Sequence, residues 1–168
     1  MTGVQTCALP ISVAGFNVDA LAPTGPARDV LIVGYGQSEL EDRLERVLTS
    51  GGRVIARDPH PEAGYFFRSD HFPLAKRGVP MLYIDSGVEL LTGGAAAGEA
   101  ADSVYRRDRY HQPTDEYDAA TWNLSGMAQD MTAIYRVGLE LADSRDWPNY
   151  RATSEFRSIR DASAGRRP

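Results

Sequence analysis

A chain of 168 residues, 42% hydrophobic and 24% charged, is one domain's worth of sequence and enough to bury a core. A net charge of −5 excludes the clustered Lys and Arg that a nucleic-acid partner demands, since only the terminal GRRP is basic. No window approaches the ~20 consecutive apolar residues of a spanning helix, so the sequence predicts no membrane span.

Residues 1–11, MTGVQTCALPI, lack the basic start and long apolar stretch of a secretory signal and hold the single cysteine, Cys7. Back-translated, residues 5–11 resemble a short-read library adapter. They are therefore expected to be translated adapter fused to an open reading frame, outside the fold. Without them the chain has no cysteine, which removes disulfide and thiol chemistry and leaves the compartment unassigned by redox logic.

The remainder reads as alternating strands and helices. SVAGFNV, ending at Asp19, and DVLIVGY, residues 29–35, are apolar runs of the kind found in strands covered on both faces. SELEDRLERVLTSGG predicts an amphipathic helix with Ser38 as N-cap, a stripe of Leu40, Leu44, Val47 and Leu48, and a stop at Gly51 and Gly52. RVIA is a short strand and VPMLYID a buried one. RSDHFPLAKRG between them looks like a short capped helix ending in glycine. TGGAAAGEAAD is expected to be a flexible excursion. From about Thr121 to Ser144 a long helix places Leu124, Met127, Met131, Ile134, Tyr135, Gly138 and Leu141 at helical spacing, a core-packing face and not a cofactor box. The aromatics of WPNYRATSEF are expected to staple the tail onto the domain, and residues 162–168 to be a disordered end.

Some signals do not point to chemistry. GYGQS is not a G-x-G-x-x-G fingerprint, and its glycines read as a tight turn and not a phosphate cradle. No G-x-S-x-G elbow surrounds Ser86, so it has no claim to be a nucleophile. His60, in DPHPEAG, reads as solvent-exposed.

RYHQPTDEYD, residues 109–118, is harder to dismiss. Its histidine sits between a tyrosine and a run of turn-formers and carboxylates, which fits either a solvated loop or a metal or catalytic histidine. Read with FNVDA (residues 16–20) and RSDHFPLAKRGVP (residues 68–80), the N-x-D, S-D-H-x-P…G-V-P and Y-H-x-x-x-D patterns resemble, in this order, the C-terminal half of the M28 zinc aminopeptidase family.

The resemblance implies an α/β fold, a mixed and mostly parallel sheet with helices on both faces as in zinc exopeptidases, incomplete on its N-terminal side. Residues 12–161 would form the C-terminal part of the peptidase domain. Two zinc ions are implied at the carboxyl ends of central strands. Asp19 matches the ligand of one and His111 the ligand of the other, donor types suited to hydrolytic zinc. Tyr110 matches the hydroxyl that stabilises the tetrahedral oxyanion. Asp70 and His71 match the segment that shapes the substrate pocket, with His71 not a ligand, although Asp70 also reads as a helix N-terminal carboxylate. Arg68 is expected to pair with a substrate or product carboxylate, and Asp115 to orient the loop carrying His111.

The family's bridging aspartate, second histidine and Glu-Glu pair have no counterpart before Asp19. The expected function is thus hydrolysis of peptide or aminoacyl substrates by metal-activated water, in a chain that is inactive by itself. The alternatives are a noncatalytic binding relative of the fold and a glutaminyl-cyclase-like enzyme. The sequence leaves localisation and oligomeric state unassigned, with an exported or periplasmic bacterial protein compatible by family analogy.

Overall fold

The computed structural model describes residues 12–167; the adapter-like residues 1–11 and Pro168 lie outside the described residues. Four strands, β1 (Gly15–Val18), β2 (Asp29–Ile32), β3 (Val54–Arg57) and β4 (Met81–Ser86), form one sheet in the order β1-β4-β2-β3. β1 pairs with β4 and β2 with β3 in parallel, while β2 and β4 run antiparallel. The helices are α1 (Leu40–Ser50), α2 (Tyr65–Arg68), α3 (Phe72–Ala75), α4 (Gly94–Asp108), α5 (Ser125–Ala142) and α6 (Arg157–Ala162). This is the mixed, mostly parallel α/β sheet with helices on both faces that the resemblance implies.

Alternation along the strands explains the two layers. Val30, Ile32, Leu82 and Ile84 point to one face and pack with α1 and α5. Met81 and Tyr83, one residue out of phase, point to the other and pack with Phe66, Ala75, Tyr150 and Phe156. β4 is buried on both faces, and that is why MLYI reads as an unbroken apolar run.

α1 begins at Leu40, two residues after the expected cap, yet Ser38 still caps it: its Oγ accepts the Leu40 amide at 3.2 Å. Glu41 closes the other half of a capping box by accepting the amides of Ser38, Gln37 and Gly36 at 2.9–3.1 Å. Three amides of the GYGQS turn are thus consumed by this helix's own carboxylate, whose pKa burial raises.

Two expectations are corrected. The TGGAAAGEAAD stretch is no flexible excursion: from Gly94 on it forms the first nine residues of the 15-residue α4. Its alanines are the strongest helix formers, and Gly93 and Gly94, at φ 89° and 66°, turn the chain into the helix. Gly98 is buried where an added Cβ would lie 2.0 Å from the Val88 carbonyl oxygen. On α5 the predicted face is rotated. Ile134 and Leu141 are buried, but the rest of the core face is Gly126, Asp130, Ala133 and Val137, while Leu124, Met131, Tyr135 and Leu139 are exposed.

The tail is held by side chains. Tyr150 and Phe156 are buried, and the Tyr150 hydroxyl donates to the Val79 carbonyl. Arg160, 1% exposed, donates to the carbonyls of Ser12, Val13 and Pro148, fastening the C-terminal segment to the approach of β1. Burial pulls its pKa down to about 10. Residues Ala164–Arg166 form a short 3-10 helix.

Candidate functional site

Parallel pairing of β1 with β4 brings two carboxylates to one end of the sheet. Val18 is in register with Ile84, so the next residues, Asp19 and Asp85, emerge side by side at the strands' carboxyl ends. Asp19 is exposed; Asp85 lies deeper, its Oδ1 accepting the Ser86 amide at 2.8 Å. Burial pushes Asp85 up to about 6, with Arg106 opposing and Asp102 and Asp19 reinforcing the rise. The Ser86 hydroxyl accepts the Ala22 amide at 2.7 Å and so ties the chain leaving Asp19 to the end of β4. Ser86 is a brace for this loop.

Tyr83 marks the floor. Burial raises its hydroxyl pKa; Ser69 lowers it, and Asp85, Asp19 and Tyr110 each raise it further. Four of the residues around the strand ends therefore bear on one buried phenol. His71 packs against Tyr83, ring centroids 5.1 Å apart, with Phe66 edge-on at 4.6 Å. It is 2% exposed, and burial drives its pKa down to about 4 against the pull of Asp70, so the ring is neutral near pH 7. His71 thus supports the site from beneath, while Asp70 is exposed beside it.

α4 forms a wall over this end. Arg106 donates Nε to both oxygens of Asp102 and Nη1 to the Tyr65 hydroxyl at 3.1 Å. The Arg68 guanidinium sits 4.7 Å over the Tyr65 ring. One residue earlier on α4, the Tyr105 hydroxyl donates to Asp115 at 2.8 Å, and burial first and then that bond raise the Tyr105 pKa to about 12. The Thr114 hydroxyl donates to the Asp108 carbonyl. These bonds hold the loop carrying Tyr110 and His111 against the end of α4. His111 is exposed, its ring stacked on Tyr110 at 3.9 Å, and at φ 59° it is the one non-glycine with positive φ among the described residues. That costs backbone strain the surrounding bonds must offset.

Asp19, Asp85 and Tyr110 thus lie near enough to the Tyr83 phenol to raise its pKa, and the Tyr105–Asp115 bond holds the His111 loop. His60 is exposed, its ring 3.3 Å from Glu62 and its amide bonded to Asp58. Asp85, Tyr105, Arg106 and Tyr65 escaped the sequence reading. An acid closing a buried strand was the available signal for Asp85; Tyr105 and Arg106 follow the stretch read as a flexible excursion, and Tyr65 on α2 carried no sequence signal.

Asp19 and His111 are suitable zinc donors by chemistry, but among the described residues no three His, Cys, Asp or Glu side chains come together as metal ligands. The residues present do not complete a zinc centre, and no chemical step can be built through one.

A family model, Peptidase family M28, matches residues 7–135, from within the adapter-like stretch through the Tyr110–His111 loop into α5. The chain belongs to this peptidase family. M28 membership makes it a peptidase-type hydrolase, with peptides as the substrate class, in a family that is generally zinc-dependent. Neither curated proteins nor solved structures gave a match.

Proposed function

We propose that this M28 chain is part of a zinc-dependent aminopeptidase, contributing Asp19 and His111 as ligands of separate zinc ions and Tyr110 as donor to the developing oxyanion. Support for this reading lies in one arrangement: Asp19 and Tyr110 both bear on Tyr83 at the carboxyl ends of paired parallel strands. A carboxylate and a phenol at that place suit polarising and stabilising a scissile carbonyl better than they suit a scaffold. Zinc, when bound, would supply an activated water. Arg68 and Asp70 stand exposed on the rim, where they meet a substrate; His71 and Asp115 act through Tyr83 and the loop.

On this reading each ion keeps one ligand from this chain, where a catalytic site needs about three, and no neighbouring glutamate serves as base. The remaining donors are to be sought outside these 168 residues. The test is an assay with zinc on aminoacyl-p-nitroanilides and on glutaminyl peptides, for the 168-residue chain and for a chain extended by its upstream coding sequence. Turnover by the extended chain alone is expected. Zinc-dependent turnover by the 168 residues refutes the ligand count. Pyroglutamate formation without peptide cleavage supports the cyclase alternative, and no zinc-dependent chemistry in either chain supports the noncatalytic one.

A further inference from the structure

Tyr105, on the last turn of α4, meets the Tyr110–His111 loop in three ways. Its carbonyl accepts the amides of both Arg109 and Tyr110 at 2.9 Å, which sets the direction in which the chain leaves the helix. Its ring centroid lies 6.0 Å from that of Tyr110, on which His111 in turn stacks at 3.9 Å and 19°. Its hydroxyl donates at 2.8 Å to Asp115, beyond His111 in the chain. We propose that Tyr105 is a positioning residue that fixes the backbone and ring orientation of His111 through Tyr110 and Asp115. The proposal rests on the peptidase reading for the roles of His111 and Tyr110.

The backbone of His111 shows why such a hold is needed. At φ 59° it occupies the left-handed region, from which a residue bearing a Cβ relaxes to negative φ unless its surroundings oppose the change. Its exposed ring makes no hydrogen bond among the described residues that could oppose it. Restraint comes instead from the chain on both sides. Before His111, the Arg109 and Tyr110 amides are bound to Tyr105. After it, the Gln112 amide donates to the Arg109 carbonyl at 2.7 Å and the Asp115 amide to the Gln112 carbonyl at 3.0 Å. These turns end where Asp115 meets the Tyr105 hydroxyl, so one side chain grips both ends of the strained segment.

Asp115 is exposed and would be hydrated without Tyr105, so what the bond adds is direction. Thr114 supplies a parallel tie, its hydroxyl donating to the Asp108 carbonyl at 2.8 Å, so loss of the Tyr105 hydroxyl loosens the segment without releasing it. A return of His111 to negative φ redirects its Cβ relative to Tyr110. On the peptidase reading both side chains are then misplaced, and small displacements of reacting groups are costly.

The 15N-labelled chain, without zinc or substrate, is the sample. Wild type should show an intense intraresidue HN–Hα NOE at His111, the mark of positive φ, and imidazole protons shifted upfield by the Tyr110 ring. Tyr105→Phe keeps the ring and the carbonyl and removes the hydroxyl. It should lower the ratio of strained to relaxed conformer about tenfold, the worth of one hydrogen bond to a charged acceptor. Asp115→Ala should do the same, and Asp115→Asn, which keeps an acceptor oxygen, should retain the wild-type signals. Unshifted amides in the four strands show that the loop and not the fold has loosened; if Tyr105→Phe disturbs them, Asp115→Ala, on the exposed loop, decides. A wild type lacking both signals overturns the proposal, as does an Asp115→Ala chain that keeps them or an Asp115→Asn chain that loses them as fully as the alanine variant. Because the readout needs neither zinc nor turnover, its failure leaves the peptidase reading standing, and an extended chain without turnover leaves the positioning role standing.

Discussion

His71 and Asp85 both neighbour Tyr83 and titrate in opposite senses, which makes their contributions separable by pH. Burial depresses His71 to about 4 from 6.5, so between these values the unfolded chain holds the proton and the native one does not. Its contribution is complete above pH 6.5 and is lost as pH falls toward 4, by about 3 kcal/mol from the size of the shift. In urea denaturation the stability of wild type relative to His71→Leu is therefore expected to fall by that order between pH 7 and pH 4; a pH-independent difference would contradict it. Asp85 runs the other way. Burial raises it to about 6, so the native chain takes up the proton first and stability is lost as pH rises from about 4 through 6. Asp85→Asn should gain on wild type as pH rises across that window, and a gain with falling pH would show the carboxylate is not desolvated. The sequence shows both residues, but neither shift, because each depends on which strand or helix covers it.

Two helices were legible to different degrees for a local reason. α1 carries its own punctuation, a serine, a glutamate three residues on, a heptad-like leucine stripe and two glycines, and the structure reproduces it to within two residues. Because one Glu41 carboxylate receives three amides, Glu41→Ala is expected to cost on the order of 1–3 kcal/mol of unfolding free energy. A loss within experimental error would mean water replaces the carboxylate without penalty. α4 misleads because glycine is both a breaker and a packing residue. Gly93 and Gly94 start the helix, while Gly98 lets it lie against the Val88 carbonyl, and only the tertiary contact distinguishes these uses. Gly98→Ala should lift α4 from the strand end and speed hydrogen exchange in residues 94–118, Tyr105 and its hold on Asp115 included. Unchanged protection there would show that α4 does not hold the Tyr110–His111 loop.

At the scale of the molecule, the sheet has β1 at one edge, and the apolar flank of α5 continues away from the core. Gly138 brings α5 to within contact of Phe16 on β1, while Gln129, Thr132 and Arg136 turn toward α1, so Met131 and Tyr135 lie on the outer side. With Tyr135 67% exposed and Met131 and Leu139 both 46%, this flank is an association hazard beside β1, an edge strand among the described residues. Tyr135→Lys should reduce concentration-dependent light scattering without lowering the thermal midpoint. Unchanged scattering would place self-association elsewhere.

Sequence alone determined the strands, α1, the existence of α5 and the family's motifs, because apolar runs, helix caps and short motif spacings are properties of neighbouring residues. Strand order was beyond it. Val18 meets Ile84 across 66 positions, and that pairing, with no local signal, sets Asp19 beside Asp85. The rotation of α5 was equally hidden: its helical period admits several apolar faces, and the face that is buried is the one fitting Val30, Leu82 and Ile84 beneath it. Tertiary structure also decided which polar groups are functional in charge, burying His71 neutral and raising Asp85 to about 6, since desolvation is set by the atoms that surround a group and not by its neighbours in the chain.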